Sequence, residues 1–569
     1  MSETAVKTGH PKGLWVLFGT EMWERFNFYG MRAILTLFMV HALMLGESNA
    51  SIIYGGFLAL CYLTPLLGGF ISDKYFGNRN CIMLGGSLMA IGQFLLFYSA
   101  TIYDSNLDLS KSVFWMGLFV IIFGNGFFKP NISSMVGSLY PPQEKTKLDS
   151  AFTIFYMGIN IGALLSQYFV PLFADVKIGK VQDPTVFKWG YLMACIAMVL
   201  GTMVFYLLKN KYVVTPEGLP IGGKPNNNAT SGEVEEQAKF SSKSIGLVAV
   251  LFTVLFFVFR YLHVGEFGFS NFEIGTLVKG IIYPIIYGAG ISLAILILLD
   301  STLTKVEIQR ILVIYIISFF IIFFWAAFEQ AGSSLTFIAS NQTDRHFLFN
   351  WEMPASMVQI FNGLFVVLLA VPFSLMWDKL RAAGKEPISP MKQAFGLAFI
   401  ALSYFIIAYN VKDLGNSGML AIKWLVLLYF IQTIGELCLS PIGLSLVGKL
   451  APKRFASLLY GVFFISNAAG YALAGTLGAL IPATGDKFEK AKEIGVNLQD
   501  VLDKKITLSA EQVKAFADNQ IALDYPTFAG FTIHNLFEFF MVFVVLCGIA
   551  AVLLASLTPV LKRMMHGIK

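Results

Sequence analysis

Apolar positions along this chain gather into long, nearly unbroken runs, not into the alternating or helical stripes of an element half-buried in water. A helix that crosses hydrocarbon needs about 20 mostly apolar residues. Runs of that length lie near 14–43, 52–72, 81–102, 113–138, 150–173 and 187–208. A polar stretch at 209–244 follows, with Gly-Gly-Lys-Pro-Asn-Asn-Asn at 222–228 and Glu233, Glu235 and Glu236, and reads as a linker. Two more runs lie near 245–262 and 277–299, then six near 309–333, 355–377, 391–410, 420–450, 455–482 and 532–561. The order six, two, six predicts an all-α integral membrane protein of fourteen helices. One six-helix bundle is expected over 1–208, a linker with two additional transmembrane helices over 209–308, and a second six-helix bundle over 309–569.

Composition agrees with lipid as the main solvent. Apolar types make up 56% of the 569 residues and charged types 13%, against about 25% charged in soluble domains. The net charge of +6 comes from Lys and Arg in the segments between runs, with no basic face, so no nucleic-acid partner is expected. Lys and Arg favour the segments that are cytoplasmic when the chain starts inside, which places both termini in the cytoplasm. The first run carries charges and has no small-residue cleavage site, so it is expected to remain as the first span, not as a signal peptide. Cys61, Cys81, Cys195, Cys438 and Cys547 lie in or beside apolar runs without metal-like spacing and read as packing residues. The segment 483–531 interleaves Lys, Glu and Asp; it is expected to form short extracytoplasmic helices in a solvated excursion, with partner docking as the alternative.

Charges within the runs carry the chemistry. An ionised group at mid-bilayer costs about 2.5–3.5 kcal/mol on insertion scales, so each needs a partner, a wet cavity or its neutral form. The first run holds Glu21, Glu24, Arg25 and Arg32. At helical spacing Glu21, Arg25, Phe28 and Arg32 fall within roughly 60° of one another, flanked by Glu24 and Tyr29, which predicts a polar face turned toward a water-filled interior. Lys129 precedes Pro130 and Asn131; Glu329 and Gln330 follow Trp325; Glu436 precedes Ser440 and Pro441. Arg32 and Lys129 suit a carboxylate, and Glu436 suits an ammonium. The other acids suit a proton that binds when an opposing charge leaves, which is the requirement of coupled transport. A fixed structural ion pair is the alternative reading of Glu24–Arg25, and aromatic filling of helix interfaces that of Tyr29, Tyr62 and Tyr156.

Several motifs carry a resemblance. Glu21-Met22-Trp23-Glu24-Arg25-Phe26 resembles the E-x-x-E-R signature of proton-dependent oligopeptide transporters. The run from Gly68 to Gly77, through Ser72-Asp73-Lys74, is similar to the cytoplasmic motif of the major facilitator superfamily, and Trp377-Asp378-Lys379 is a weak counterpart in the second half. Phe155-Tyr156-Met157-Gly158-Ile159-Asn160-Ile161-Gly162 resembles the F-Y-x-x-I-N-x-G motif. Phe324-Trp325 with Phe328-Glu329-Gln330, and Gly435-Glu436-Leu437 with Ser440-Pro441, are similar to the second-half signatures. The resemblance spans nearly the whole chain.

It implies the major facilitator fold, two bundles that rock about a central site, and symport of di- and tripeptides with protons as the coupling ion and no other cofactor. It implies that Arg32 and Lys129 meet the peptide C-terminus, and that Asn160, Asn362 and Glu436 meet its N-terminus. Tyr29, Tyr62, Tyr156 and Trp325 then line the pocket with Ser440, and Glu21, Glu24, Arg25 and Glu329 couple the proton. Phe28 and Phe463 stand where many members carry tyrosine and tryptophan. A multi-pass plasma-membrane protein is expected, the bacterial inner membrane being the setting, and a monomer suffices. Carriers of nitrate, other organic anions or drugs, and a non-transporting receptor on the same fold, are the alternatives; no enzyme constellation is present in the sequence.

Overall fold

The computed structural model describes residues 9–140, 147–178, 181–215, 218–224, 240–347, 351–416 and 418–568, without the side chains of 149, 181, 440–442 and 444. Much of the expected linker, including Glu233, Glu235 and Glu236, lies outside the described residues.

Among the described residues, thirteen helical segments are long and apolar enough to cross a membrane. The first helix, α1 (Lys12–His41), is not one of them. Its length is ample, and Glu21, Glu24, Arg25 and Arg32 are what lower its hydropathy. The remaining long helices follow the expected runs: α2 (Glu47–Ile71), α3 (Asn78–Ile102), α4 (Leu107–Ser138), α5 (Leu148–Ala174), α6 (Phe187–Tyr212) and α7 (Ser242–Val264). A short α8 (Ile274–Leu277) passes through a π turn (Val278–Ile282) into α9 (Tyr283–Leu298). Next come α10 (Lys305–Phe328), a 3-10 turn (Glu329–Gly332), α11 (Ser334–Asn341), α12 (Ile360–Ala382), α13 (Ser389–Val411), α14 (Ile422–Leu450) and α15 (Ala456–Gly478). Three short helices, α16 (Gly485–Glu493), α17 (Leu498–Leu502) and α18 (Ala510–Asp518), precede α19 (Leu536–Met564). The fold is thus a mostly helical, multi-span membrane protein.

Polar side chains mark where helices begin. Asn106 caps α4, Ser241 caps α7 and Asn535 caps α19, each accepting from a backbone N–H of the first turn. Thr304 and Glu307 form a capping box at the start of α10. Arg454 grips the same Glu307 with two nitrogens at 2.8 and 3.0 Å, tying the start of α10 to the turn before α15.

Contacts divide the chain into two compact units. The first holds residues 1–43 and 60–232, and the second 44–59 and 233–569, so the first half of α2 belongs to the second unit and its second half to the first. In the first unit α3 packs on α4 and α6, and α1 on α5 and α6. Small residues permit the α3–α4 approach: a Cβ at Gly85 would lie 2.6 Å from Gly124 O. The superfamily-like motif ends in a π turn (Ser72–Phe76) and Gly77 at φ 75°. Arg79, buried just beyond, donates to Val213 O, Ile221 O and the Asn210 side chain.

In the second unit α13 packs on α14 and α19, α10 on α15, and the additional α7–α9 pair packs on itself and on α15. The counterpart motif builds a charge network here. Arg381 forks onto Glu386 at 2.8 and 3.0 Å and reaches Asp378 at 3.0 Å; Lys392 meets Glu386 at 2.6 Å and lies over the Trp377 ring. These two cations hold the Glu386 carboxyl down at about 2. The segment 483–531 forms three short helices, α16, α17 and α18. Ala491, Val496, Leu498, Val501, Leu502, Phe516 and Ile521 close an apolar core of its own.

Candidate functional site

In the first unit the E-x-x-E-R motif makes an enclosed ion cluster. Helical spacing places Glu21 one turn before Arg25, and Arg25 Nε lies 3.1 Å from Glu21 Oε1 while also pairing closely with Glu24. All three are buried, Glu24 completely. The polar face expected on α1 is therefore present, but at these residues it is packed in protein and does not open to water. Glu21 Oε2, Glu24 Oε1 and Arg25 Nη2 are buried without a hydrogen-bond partner among the described residues. Arg32, two turns further along α1, is half-buried, with its guanidinium 5.8 Å from the Tyr29 ring centre.

The glycines of the F-Y-x-x-I-N-x-G motif explain its position. A Cβ at Gly162 would overlap Met22 O, and one at Gly158 would press on Phe18, so α5 approaches α1 closely beside Glu21 and Arg25. Phe155 is buried in the core of the first unit; Tyr156 is exposed; Asn160 Nδ2 donates to Tyr156 O at 3.0 Å within its own helix. On the facing side, Asn125 donates to Cys61 O at 2.8 Å and Thr64 to Ile122 O at 3.0 Å, clamping α4 to α2. That clamp sets Lys129 Nζ 3.9 Å from the centre of the Tyr62 ring, a close cation–π contact. Lys129 is near enough to Glu21 and Glu24 for its charge to act on both.

In the second unit the α10 helix breaks at Glu329. The 3-10 turn frees backbone carbonyls, which need new partners in an apolar setting. Gln330 Nε2 donates to Ala326 O at 2.9 Å and to Ala474 O at 3.0 Å; Thr336 donates to Ala331 O and Tyr404 to Ala327 O, each at 2.7 Å. Glu329 is held in this turn, 3% exposed. One turn before it, Trp325 packs on Phe328 and Tyr471, and its Nε1 is buried without a hydrogen-bond partner among the described residues. Asn362 on α12 donates to Glu436 Oε2 on α14 at 2.9 Å and to Thr433 Oγ1 at 3.1 Å. Glu329 is close enough to Glu436 to repel it.

The candidate residues therefore form two sets. Glu21, Glu24, Arg25, Lys129 and Tyr62 gather in the first unit, with Arg32, Tyr29, Tyr156 and Asn160 on the same helices. Trp325, Glu329, Asn362 and Glu436 gather in the second. The side chain of Ser440 lies outside the described residues. Thr433 and Tyr54 are two further residues at these sites that the sequence motifs do not include. The Thr433 hydroxyl donates to Tyr429 O and accepts from Asn362. Its place one turn before Glu436 on α14 is the signal that marks it; Tyr54 carries none.

Comparison with known proteins identifies the family. The sequence profile of the POT family matches residues 79–229 and 271–494. The chain is 33% identical to a di-/tripeptide transporter of Lactococcus lactis subsp. cremoris over 82% of its length and 88% of the relative's. It is 31% identical to the peptide transporter YePEPT of Yersinia enterocolitica, covering 84% and 89%, and 32% identical to the uncharacterized transporter YclF of Bacillus subtilis, covering 84% and 90%. Among solved structures, a POT family transporter in complex with a thioalcohol-conjugated peptide aligns with a TM-score of 0.70 at 28% identity, over 97% of both chains. A polytopic helical fold, charges set into α1, α4, α14 and the turn after α10, and these matches place this chain in the POT family of transporters.

Proposed function

We propose that the protein is a proton-coupled symporter that imports di- and tripeptides by alternating access across the bacterial inner membrane, with both termini cytoplasmic and a monomer as the working unit. The observation that carries this reading is Glu329, a carboxyl buried at a helix break beside a second acid, Glu436. A carboxyl at such a place can exchange a proton as the groups that face it change. The relatives' names supply the substrate class: curated relatives are di-/tripeptide transporters and a solved relative holds a peptide conjugate.

In this reading Arg32 and Lys129 receive the peptide carboxylate and Glu436, steadied by Asn362, receives its ammonium. Tyr29, Tyr62, Tyr156 and Asn160 in the first unit, and Trp325 and Ser440 in the second, are the further peptide-binding residues of this reading. Glu21, Glu24 and Arg25 form a second proton-responsive cluster, since buried acceptors without donors are costly until a proton or cation meets them. Uptake of a labelled dipeptide into proteoliposomes with an acid exterior tests the reading. Uptake that a protonophore abolishes, and that unlabelled dipeptides but not free organic anions compete, is expected. Equal uptake without a gradient, or competition by anions alone, would refute it.

A further inference from the structure

Glu329 has a neighbour that the motifs do not mark. Tyr54, 1% exposed, reaches it from the first half of α2, and its hydroxyl donates to Glu329 Oε2 across 3.5 Å. The hydroxyl occupies a notch at Gly332, the last residue of the same 3-10 turn. A Cβ at Gly332 would overlap both the oxygen and Cζ of Tyr54. The notch is therefore shaped for this phenol, and only glycine leaves it open.

The first half of α2 is also fixed in place. A Cβ at Gly55 would lie 2.7 Å from Gly475 Cα and from Tyr471 O, so α2 rides directly on α15. From the additional helix α9, Tyr283 donates to Ile52 O at 2.9 Å, just before Tyr54 in the chain. Among the groups that face Glu329 are Tyr54 from α2, a donor, and Glu436 from α14, a repelling charge.

We infer that Tyr54 is a positioning residue for Glu329, linking the charge on that carboxyl to the seating of α2 on the broken helix. The inference rests on the proton-coupled reading above. A hydrogen bond to an ionised carboxylate is roughly twice as strong as one to a neutral acid. Ionised Glu329 draws the hydroxyl in and holds α2 at the turn. Protonated Glu329 loosens that hold on the turn, while the Gly55 contact with α15 and the Tyr283 brace keep α2 in place. The Tyr283 brace gives the additional α7–α9 pair a part in keeping Tyr54 at the right depth.

The test compares Tyr54→Phe with wild type in proteoliposomes, by pH-driven accumulation of a dipeptide and by dipeptide counterflow without a gradient. Phenylalanine keeps the ring in its notch and removes only the donor. Accumulation is expected to fall about threefold or more, the contact being longer than a full charge-assisted hydrogen bond, while counterflow is retained. Gly332→Ala, which displaces the ring, is expected to give the same split. Unchanged accumulation in Tyr54→Phe, or an equal fall in both assays, would overturn the assignment while leaving the proposed function standing. A wild-type protein that fails to accumulate dipeptide would overturn both.

Discussion

Asn362 and Glu436 are joined across two helices, the amide of α12 donating to the carboxylate of α14 at 2.9 Å. The amide also reaches Thr433 at 3.1 Å, so the carboxylate is held by a small network and not by a single rotamer. A carboxylate oriented in this way suits an ammonium partner. Glu436→Gln keeps the shape and removes the charge, and is expected to raise KM for a free dipeptide by about tenfold or more, the worth of a charged hydrogen bond. An N-acetylated dipeptide lacks the ammonium and is expected to compete weakly and equally in both proteins. Competition assays read the difference.

Arg25 neutralises Glu24 in a buried setting. Removing one partner of such a pair typically costs about 3–5 kcal/mol, because the remaining charge is left without compensation. Arg25→Met is therefore expected to lower the unfolding temperature in detergent sharply. The double variant Glu24→Gln with Arg25→Met is expected to recover only part of that loss, because Glu21, 3.1 Å from Arg25 Nε, is left without its partner, and neither variant is expected to transport with a gradient. Thermal unfolding followed by tryptophan fluorescence distinguishes the two.

Lys129 rests on the face of Tyr62. A partly buried cation–π contact is worth about 1–2 kcal/mol. Tyr62→Phe retains the aromatic face and is expected to leave dipeptide affinity within about threefold of wild type. Tyr62→Ala frees the ammonium and is expected to weaken affinity by about tenfold. Equal losses in the two variants would show that the hydroxyl, and not the ring, is what Lys129 needs.

Glu386 is held down at about 2 by Arg381 and Lys392. A carboxyl depressed in the folded state stabilises the protein above its unfolded value near 4.5, and that contribution is lost as pH falls toward 2. Glu386→Gln is expected to lower the unfolding temperature at pH 7, with the gap from wild type closing as the pH drops from about 4.5 toward 2. A gap that stays constant over that range would place the effect in packing and not in charge.

Much of this is legible in the chain. Span length and mid-run charge follow from hydropathy and desolvation, so Glu21, Arg25, Lys129, Glu329 and Glu436 stand out by residue type alone. The motif glycines have a spacing that the α1–α5 approach explains. Other features depend on contacts between distant segments. The run at 309–333 shows no proline, so nothing marks the break at Glu329 or the continuation into α11. Tyr54 is one aromatic in an apolar run, and its place beside Gly332 comes only from folding. The core of 483–531 is hidden by its charges, because Leu498, Val501 and Phe516 sit on helices too short to show a full stripe.

The most direct measurement is dipeptide accumulation at an imposed pH step by wild-type and Glu329→Gln proteins in the same proteoliposomes, with counterflow measured in parallel. Glutamine is neutral at every pH and carries no exchangeable proton in this range, so accumulation is expected to collapse to the equilibrium level while counterflow persists. Gradient-driven accumulation that survives in Glu329→Gln would contradict the assignment of the coupling proton to this carboxyl.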